Sequence, residues 1–326
     1  MITGTVTVNN ITILNGASVT ISMGAELIVN DVTGPGAIIN QGRLAIQGNN
    51  LHTHPDPYGG TVSYTSGGAQ LIRYHKYQNI ELQNGLKNIT GDILLTGNFY
   101  CYTSCNVINS DVTIAGNYYN NGLLIASGTS TFKFNNNTTD QIIGGNGIHI
   151  FQNLEISKSP GGRLILQDSI QINGQLIWTG DGVLALSSNN LVIGPLATFV
   201  NTGTYGPTRM IETDGLDNTS GMIIRKGLNP IDFNNLTIPI GSNGKYTPVW
   251  LKRIRIAGPT NIDSRIALKV VQDNVCNNCV RRFLRMQASD MIIDSVDFQF
   301  NYPKSEKVGY PSKVFRVVSG IPNPVS

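Results

Sequence analysis

Four groups of side chains in this sequence have types and spacings that chemistry uses. The cysteines stand as Cys101-x3-Cys105 and Cys276-x2-Cys279, two thiol pairs that would together make a four-sulfur zinc site. In His52-Thr53-His54-Pro55-Asp56, alternate spacing puts two imidazoles on one face of a strand beside a carboxylate, a weak candidate for a metal. Asp92 and Asp111 are 19 residues apart, and paired carboxylates on one face serve polysaccharide hydrolysis or hold calcium for elimination. Tyr100, Tyr102, Tyr118 and Tyr119 form an aromatic group of the kind that packs against sugar rings. No Ser-His-Asp ordering, phosphate loop or nucleotide fingerprint rises above chance.

Whether any of these groups converge depends on the elements that carry them. Charged residues make up 13% of the 326, where an ordinary soluble domain has about 25%. That excludes a charge-solvated disordered chain and a long coiled coil. Hydrophobic residues reach 40%, yet no apolar stretch approaches the roughly 18 residues of a membrane-spanning helix. A net charge of +3, with no run of Lys or Arg longer than two, leaves no electrostatic footprint for nucleic acid or an anionic membrane. The sequence therefore implies neither partner and no cofactor.

The 36 glycines and 36 asparagines favour turns, because both tolerate positive φ and Asn bonds its own backbone. Between them lie short β-branched runs such as Thr5-Val6-Thr7-Val8, Leu27-Ile28-Val29 and Leu164-Ile165-Leu166, which read as strands. No window holds a 3.6-residue apolar period, so the chain is all-β. Gly91 to Tyr100 recurs as Ser110 to Tyr119, an offset of 19, with a third copy at Ser169 to Leu176 close to three periods on. A period of about 19–20 residues with two or three short strands fits one coil of a right-handed parallel β-helix, a β-solenoid stacked at about 4.8 Å per coil. Residues 1–248 then give roughly twelve coils, with a loop insertion at about 52–66. Beyond Pro248 glycine nearly disappears and charge rises; Arg253-Ile254-Arg255-Ile256 and Val296-Asp297-Phe298-Gln299-Phe300 alternate cleanly. Residues 249–326 are expected to form an antiparallel β-sandwich-like module that covers the last coil's open edge.

On such a frame the candidates weigh differently. The two cysteine pairs lie roughly eight coils apart, which separates them too far for one zinc ion. His52, His54 and Asp56 read better as an exposed Pro-rich loop, and His75 and His149 as isolated structural residues. Asp92 and Asp111 recur at coil spacing but without Lys or Arg, so capping of corner amides outweighs catalysis. Glu26, Glu81 and Glu155 have no partner at coil spacing. One residue of each adjacent tyrosine pair points outward, where stacked rings would contact glycan. Ranks of Thr for ice binding do not persist past Thr5-Val6-Thr7.

Thr139-Asp140-Gln141-Ile142-Ile143-Gly144-Gly145 with Phe151-Gln152-Asn153-Leu154-Glu155-Ile156 resembles a coil phrase, "Q-x-I-x-G … F-x-N-L-x-I", of the large repetitive surface proteins that Bacteroidetes export by the type IX route. Ile238-Pro239-Ile240-Gly241 through Tyr246-Thr247-Pro248-Val249 is similar to that family's "F-P-I-G … Y-x-P-V" junction. Arg281-Arg282-Phe283-Leu284-Arg285-Met286 sits where the family has "R-Y-W", with Phe283 in place of the tryptophan. The resemblance covers most of residues 90–310. Met1-Ile2-Thr3-Gly4 has no basic or apolar leader character and no sorting domain is recognised before Ser326, as in a processed or truncated piece. The resemblance implies an extracellular, cell-surface location, and in an exported protein two local disulfides, Cys101 to Cys105 and Cys276 to Cys279, with buried free thiols the alternative. It implies a non-enzymatic stalk or adhesin segment that attaches to a surface glycan or matrix component or forms surface fibres. The rivals are a polysaccharide-acting β-helix enzyme or its binding remnant, and a self-associating filament subunit.

Overall fold

The computed structural model describes residues 1–49, 59–73, 75–136, 140–216, 219, 221–227, 236–256, 263–272, 282–291 and 293–300. Among them every regular element is a strand. His52, His54, Asp56, Cys276 and Cys279 lie outside the described residues, as do residues 301–326.

The strands wind into a β-solenoid of about nine turns. Its first face is a 13-stranded sheet, parallel throughout from Thr5–Thr12 to Ile240–Ser242 and closed by the antiparallel Lys245–Tyr246. Beside it, Ser18–Ile21 and Ala37–Asn40 pair in parallel in the first coils, and a 15-stranded sheet follows, which opens with Gln70–Ile72 on one ladder and His75–Tyr77 on the next. The coil that follows Gly91 lies directly against the one that follows Ser110: Ile93 pairs with Val112 and Phe99 with Tyr118, the offset of 19 read in the sequence.

Alternation along each short strand fills the lumen. Ile80, Phe99, Tyr118 and Ile143 form one inward column by register, and Ile93, Val112, Phe132, Leu154 and Leu176 another. All are 2% exposed or less. Each such side chain contributes roughly 1.5–3 kcal/mol by leaving water. The apolar columns hold the coils in register, because a slip of one residue would turn every one of them outward.

The coil length departs from 19–20 residues. It is 17 where Glu26 pairs with Arg43 and 29 where Ile211 pairs with Ile240, since corners accept extra residues without disturbing the strands. The third copy is displaced for this reason. Leu176, not Ile170, stands in the column of Val112, so Gly174 turns a different corner from Gly116. The expected insertion at 52–66 is also too long: Thr61–Tyr64 is a full rung between Arg43–Ile46 and Asn79–Leu82.

Near the C-terminal end the pairing turns antiparallel. Arg265–Gln272 pairs with Ile223–Lys226 and covers the last parallel strand of its ladder, and Arg282–Ser289 pairs with Arg265–Gln272 in turn. Val249–Ile256 lies between Leu236–Ile238 and Ile293–Phe300. Antiparallel partners thus begin before Pro248, while Ile240–Ser242 still stacks in parallel on Ile211–Thr213.

Candidate functional site

The corners consume the residues that a sequence reader would nominate first. Asp92 Oδ1 accepts from the amide of Asp111 at 2.9 Å, and Asp111 Oδ1 from the amide of Thr131 at 3.0 Å. A parallel asparagine ladder does the same at another corner: Asn79 Oδ1 caps the amide of Asn98 (2.8 Å), Asn98 that of Asn117 (2.7 Å), and Asn117 that of Ile142 (2.9 Å). These carboxylates and amides satisfy backbone donors that a corner removes from the sheet.

The outer face of the first sheet holds a cluster that sequence spacing misses. Arg43 pairs with Glu26 through Nη1, reaches Ser63 Oγ through Nε at 3.0 Å, and meets Glu81 Oε2 through Nη2 at 3.1 Å. Its Nη2 also donates to Gln83 Oε1 at 3.3 Å, and Ser63 Oγ donates to Glu81. The expectation that Glu26 and Glu81 lack partners at coil spacing is therefore corrected. The 17-residue coil brings Arg43 opposite Glu26, and the guanidinium then spans two further rungs. Glu155 is likewise paired, with Lys133 at 2.7 Å, across a coil of 22 residues. Glu26 and Arg43 line a shallow hollow of about 640 Å³ together with Thr61 and Asn79. Two carboxylates and one guanidinium leave this cluster with one net negative charge.

Glu81 is the register neighbour of Tyr100, and Tyr100 of Tyr119. The two rings stack at 5.6 Å and 9°, and Tyr102, 47% exposed, continues the stack at 6.5 Å and 4°. Asn98 Nδ2 donates to the Tyr100 hydroxyl at 3.0 Å. Tyr118 does not belong to this surface. Alternation turns it into the lumen, fully buried, where it stacks on Phe99 at 5.3 Å and meets Phe132 and Phe151 edge-on or tilted. The next rung after Tyr119 is Gly144, which is buried, with the Tyr119 ring, Ile142 and Gln167 packed closely around it. A Cβ there would lie 3.3 Å from Tyr119 Cδ1 and 3.2 Å from Gln167 Oε1.

Cys101 and Cys105 are both buried free thiols, so the disulfide expected between them is not formed. They end one strand and begin the next, Phe99–Cys101 and Cys105–Ile108, and both point inward. The thiols hydrogen-bond each other; this bond pushes Cys105 well above the ordinary thiol range and holds Cys101 below it. Nearby, the buried Lys87 donates from Nζ to the carbonyls of Ser66 (2.9 Å) and Asn84 (2.6 Å), and burial brings its pKa down to about 8. Lys158 repeats the pattern, donating to Asn136 O at 2.8 Å and Gln141 Oε1 at 2.9 Å, also with a pKa of about 8 through burial.

His149 is not isolated as expected: its Nε2 lies 3.2 Å from Asp168 Oδ2. His75 falls in the strand His75–Tyr77. Among the described residues no three His, Cys, Asp or Glu side chains converge as a metal ligand set, and no helix is long and apolar enough to cross a membrane. Comparison of the chain with models of known families, with curated proteins and with solved structures finds no match.

Proposed function

We propose that the chain is a non-enzymatic extracellular segment, a stalk or adhesin part that holds itself rigid through stacked coils and contacts surface glycan along one flat face. The observation that carries this reading is the continuous outer row in which the Arg43 cluster passes into Tyr100, Tyr102 and Tyr119. The engagement of Asp92 and Asp111 on corner amides supports it, because it gives both carboxylates a structural task. Export by the type IX route, a C-terminal sandwich and a Cys276 to Cys279 disulfide belong to the same reading.

Purified chain would be tested for glycan-array binding and cell attachment, beside hydrolase and lyase assays on polysaccharides. Binding without turnover is the expected result. The second reading, a polysaccharide-acting β-helix enzyme, draws on Glu26 and Glu81 flanking Arg43 beside an open hollow. Turnover abolished by Glu81→Gln would establish it and displace the first.

A further inference from the structure

We infer that Lys158 and Gln141 close an intramolecular isopeptide bond, Nζ to Cδ with loss of ammonia, so that one coil of the solenoid becomes a covalent ring. Such a bond goes beyond the glycan-contacting reading and does not depend on it.

Twice the fold sets a lysine 17 residues after a corner glutamine, as Gln70 with Lys87 and Gln141 with Lys158. In both corners the carboxamide is held from several sides. Gln141 Nε2 donates to the carbonyls of Ile114 (2.9 Å) and Gly116 (2.5 Å), and its Oε1 accepts from the amide of Asn136 at 3.0 Å. Gln70 makes the same three bonds with Ile46 (3.0 Å), Gly48 (2.6 Å) and the amide of Ser66 (3.0 Å). Each lysine then donates to the carbonyl of the residue whose amide holds the glutamine oxygen, Asn136 or Ser66. The corners differ in the remaining bond. Lys87 Nζ turns to the carbonyl of Asn84, whereas Lys158 Nζ lies 2.9 Å from Gln141 Oε1. The second pair thus sets an amine against a carboxamide.

Both groups are out of water, with Gln141 fully buried and Lys158 4% exposed. The lysine stem is confined, since a Cβ on Gly162 would stand 3.0 Å from its Cε and one on Gly182 3.3 Å from its Cδ. The carbon to be attacked lies one C=O bond, about 1.2 Å, beyond Oε1, within reach of a turn about the last torsions of Lys158. Reactants held in this way reach effective molarities of about 10⁵ M or more, which an unactivated amide requires. The Asn136 N–H already points at the oxygen on which negative charge develops. Burial brings the Lys158 amine down to a pKa of about 8, so its lone pair is free in mild alkali. That lone pair adds to Cδ, and the Asn136 N–H holds the resulting oxyanion. Collapse breaks the Cδ–Nε2 bond, and the proton given up by Nζ passes to Nε2, which leaves as ammonia. One amine and one primary amide become one secondary amide and one ammonia, and no further reagent is consumed. The bond ties the strand Gln141–Gly144 to the residues just past Ile148–Ile156 and closes that coil against unwinding.

The full chain, folded and stored below about pH 7, would be weighed by intact mass spectrometry before and after incubation at about pH 9, where the amine is neutral. Before closure Lys158 titrates as a free amine; incubation should remove the mass of one ammonia. Trypsin does not cut after an acylated lysine. The closed chain should therefore yield Phe134 to Arg163 as one peptide that gives no backbone fragments between Gln141 and Lys158, while cutting after Lys87 continues. Lys158→Arg should keep its full mass. Where that variant does not fold, the wild type incubated in urea, which dissolves the corner, serves in its place and should also keep its mass. A wild-type mass that stays whole at high pH overturns the inference. So does a loss that persists in Lys158→Arg or in urea, as cyclisation at an Asn-Gly step would give, and so does a link found at Lys87 in place of Lys158.

Discussion

His149 and Asp168, one coil apart, meet at 3.2 Å between Nε2 and Oδ2, with the imidazole buried and its Nδ1 facing the lumen without a hydrogen-bond partner. Burial lowers the pKa of His149, and Asp168 opposes that shift without reversing it. The folded chain therefore gives up this proton more readily than the unfolded chain, whose imidazole titrates near 6.5. Stability from His149 is fully present above about pH 6.5, declines as pH falls toward the lowered folded value, and declines no further below it. Urea unfolding from pH 8 to 5 should show this slope, and His149→Gln should flatten it.

Lys87 carries the same sign at alkaline pH. Its folded pKa of about 8 lies below the ordinary 10.5, so between those values the unfolded chain holds a proton that the folded chain has lost. Its contribution to stability rises from pH 8 to 10.5. A ¹³Cε titration by NMR should find Lys87 and Lys158 with midpoints near 8, well apart from solvent-exposed lysines.

The asparagine ladder gives a graded prediction. Asn98→Ala leaves the Asn117 amide without its cap and removes the bond to the Tyr100 hydroxyl, at a cost of about 1–2 kcal/mol. Asn98→Asp keeps an acceptor over the Asn117 amide and should recover most of it. Asp111→Asn should lie close to wild type in guanidinium unfolding, because its amide oxygen still accepts from Thr131.

Gly145 has φ of 109°, and a Cβ there would stand 2.0 Å from the carbonyl oxygen of Asn120 on the coil beneath. Gly145→Ala should cost about 3 kcal/mol, through backbone strain and displacement of that coil. Gly4, with nothing within 4 Å of the corresponding position, should accept alanine within about 0.5 kcal/mol. Thermal unfolding of the two variants makes the comparison.

The solenoid was legible wherever neighbouring coils have equal length. The offset of 19 from Phe99 to Tyr118 survives because neither coil carries an insertion, and the corner roles of Asp92 and Asp111 follow from the same equality. Arg43 escaped notice because a coil of 17 residues moves it out of the expected phase, and Lys133 because one of 22 does. Alternation established that one member of Tyr118-Tyr119 faces outward. It could not say which, since that is decided by the lumen partners Phe99, Phe132 and Phe151, which lie on three other strands. Thr61–Tyr64 was lost behind Gly59-Gly60 and the prolines before them.

The corner ladders of Asp92, Asp111, Asn79, Asn98 and Asn117 all run one way, each side chain capping an amide that comes later in the chain. A nascent polypeptide emerging from its N-terminal end thus meets acceptors already waiting on the turn just laid down. Removing turns from the front strips caps from what remains, whereas cutting from the back leaves the surviving amides at these corners served. The caps at these corners share one polarity, aligned with the order in which the residues are made.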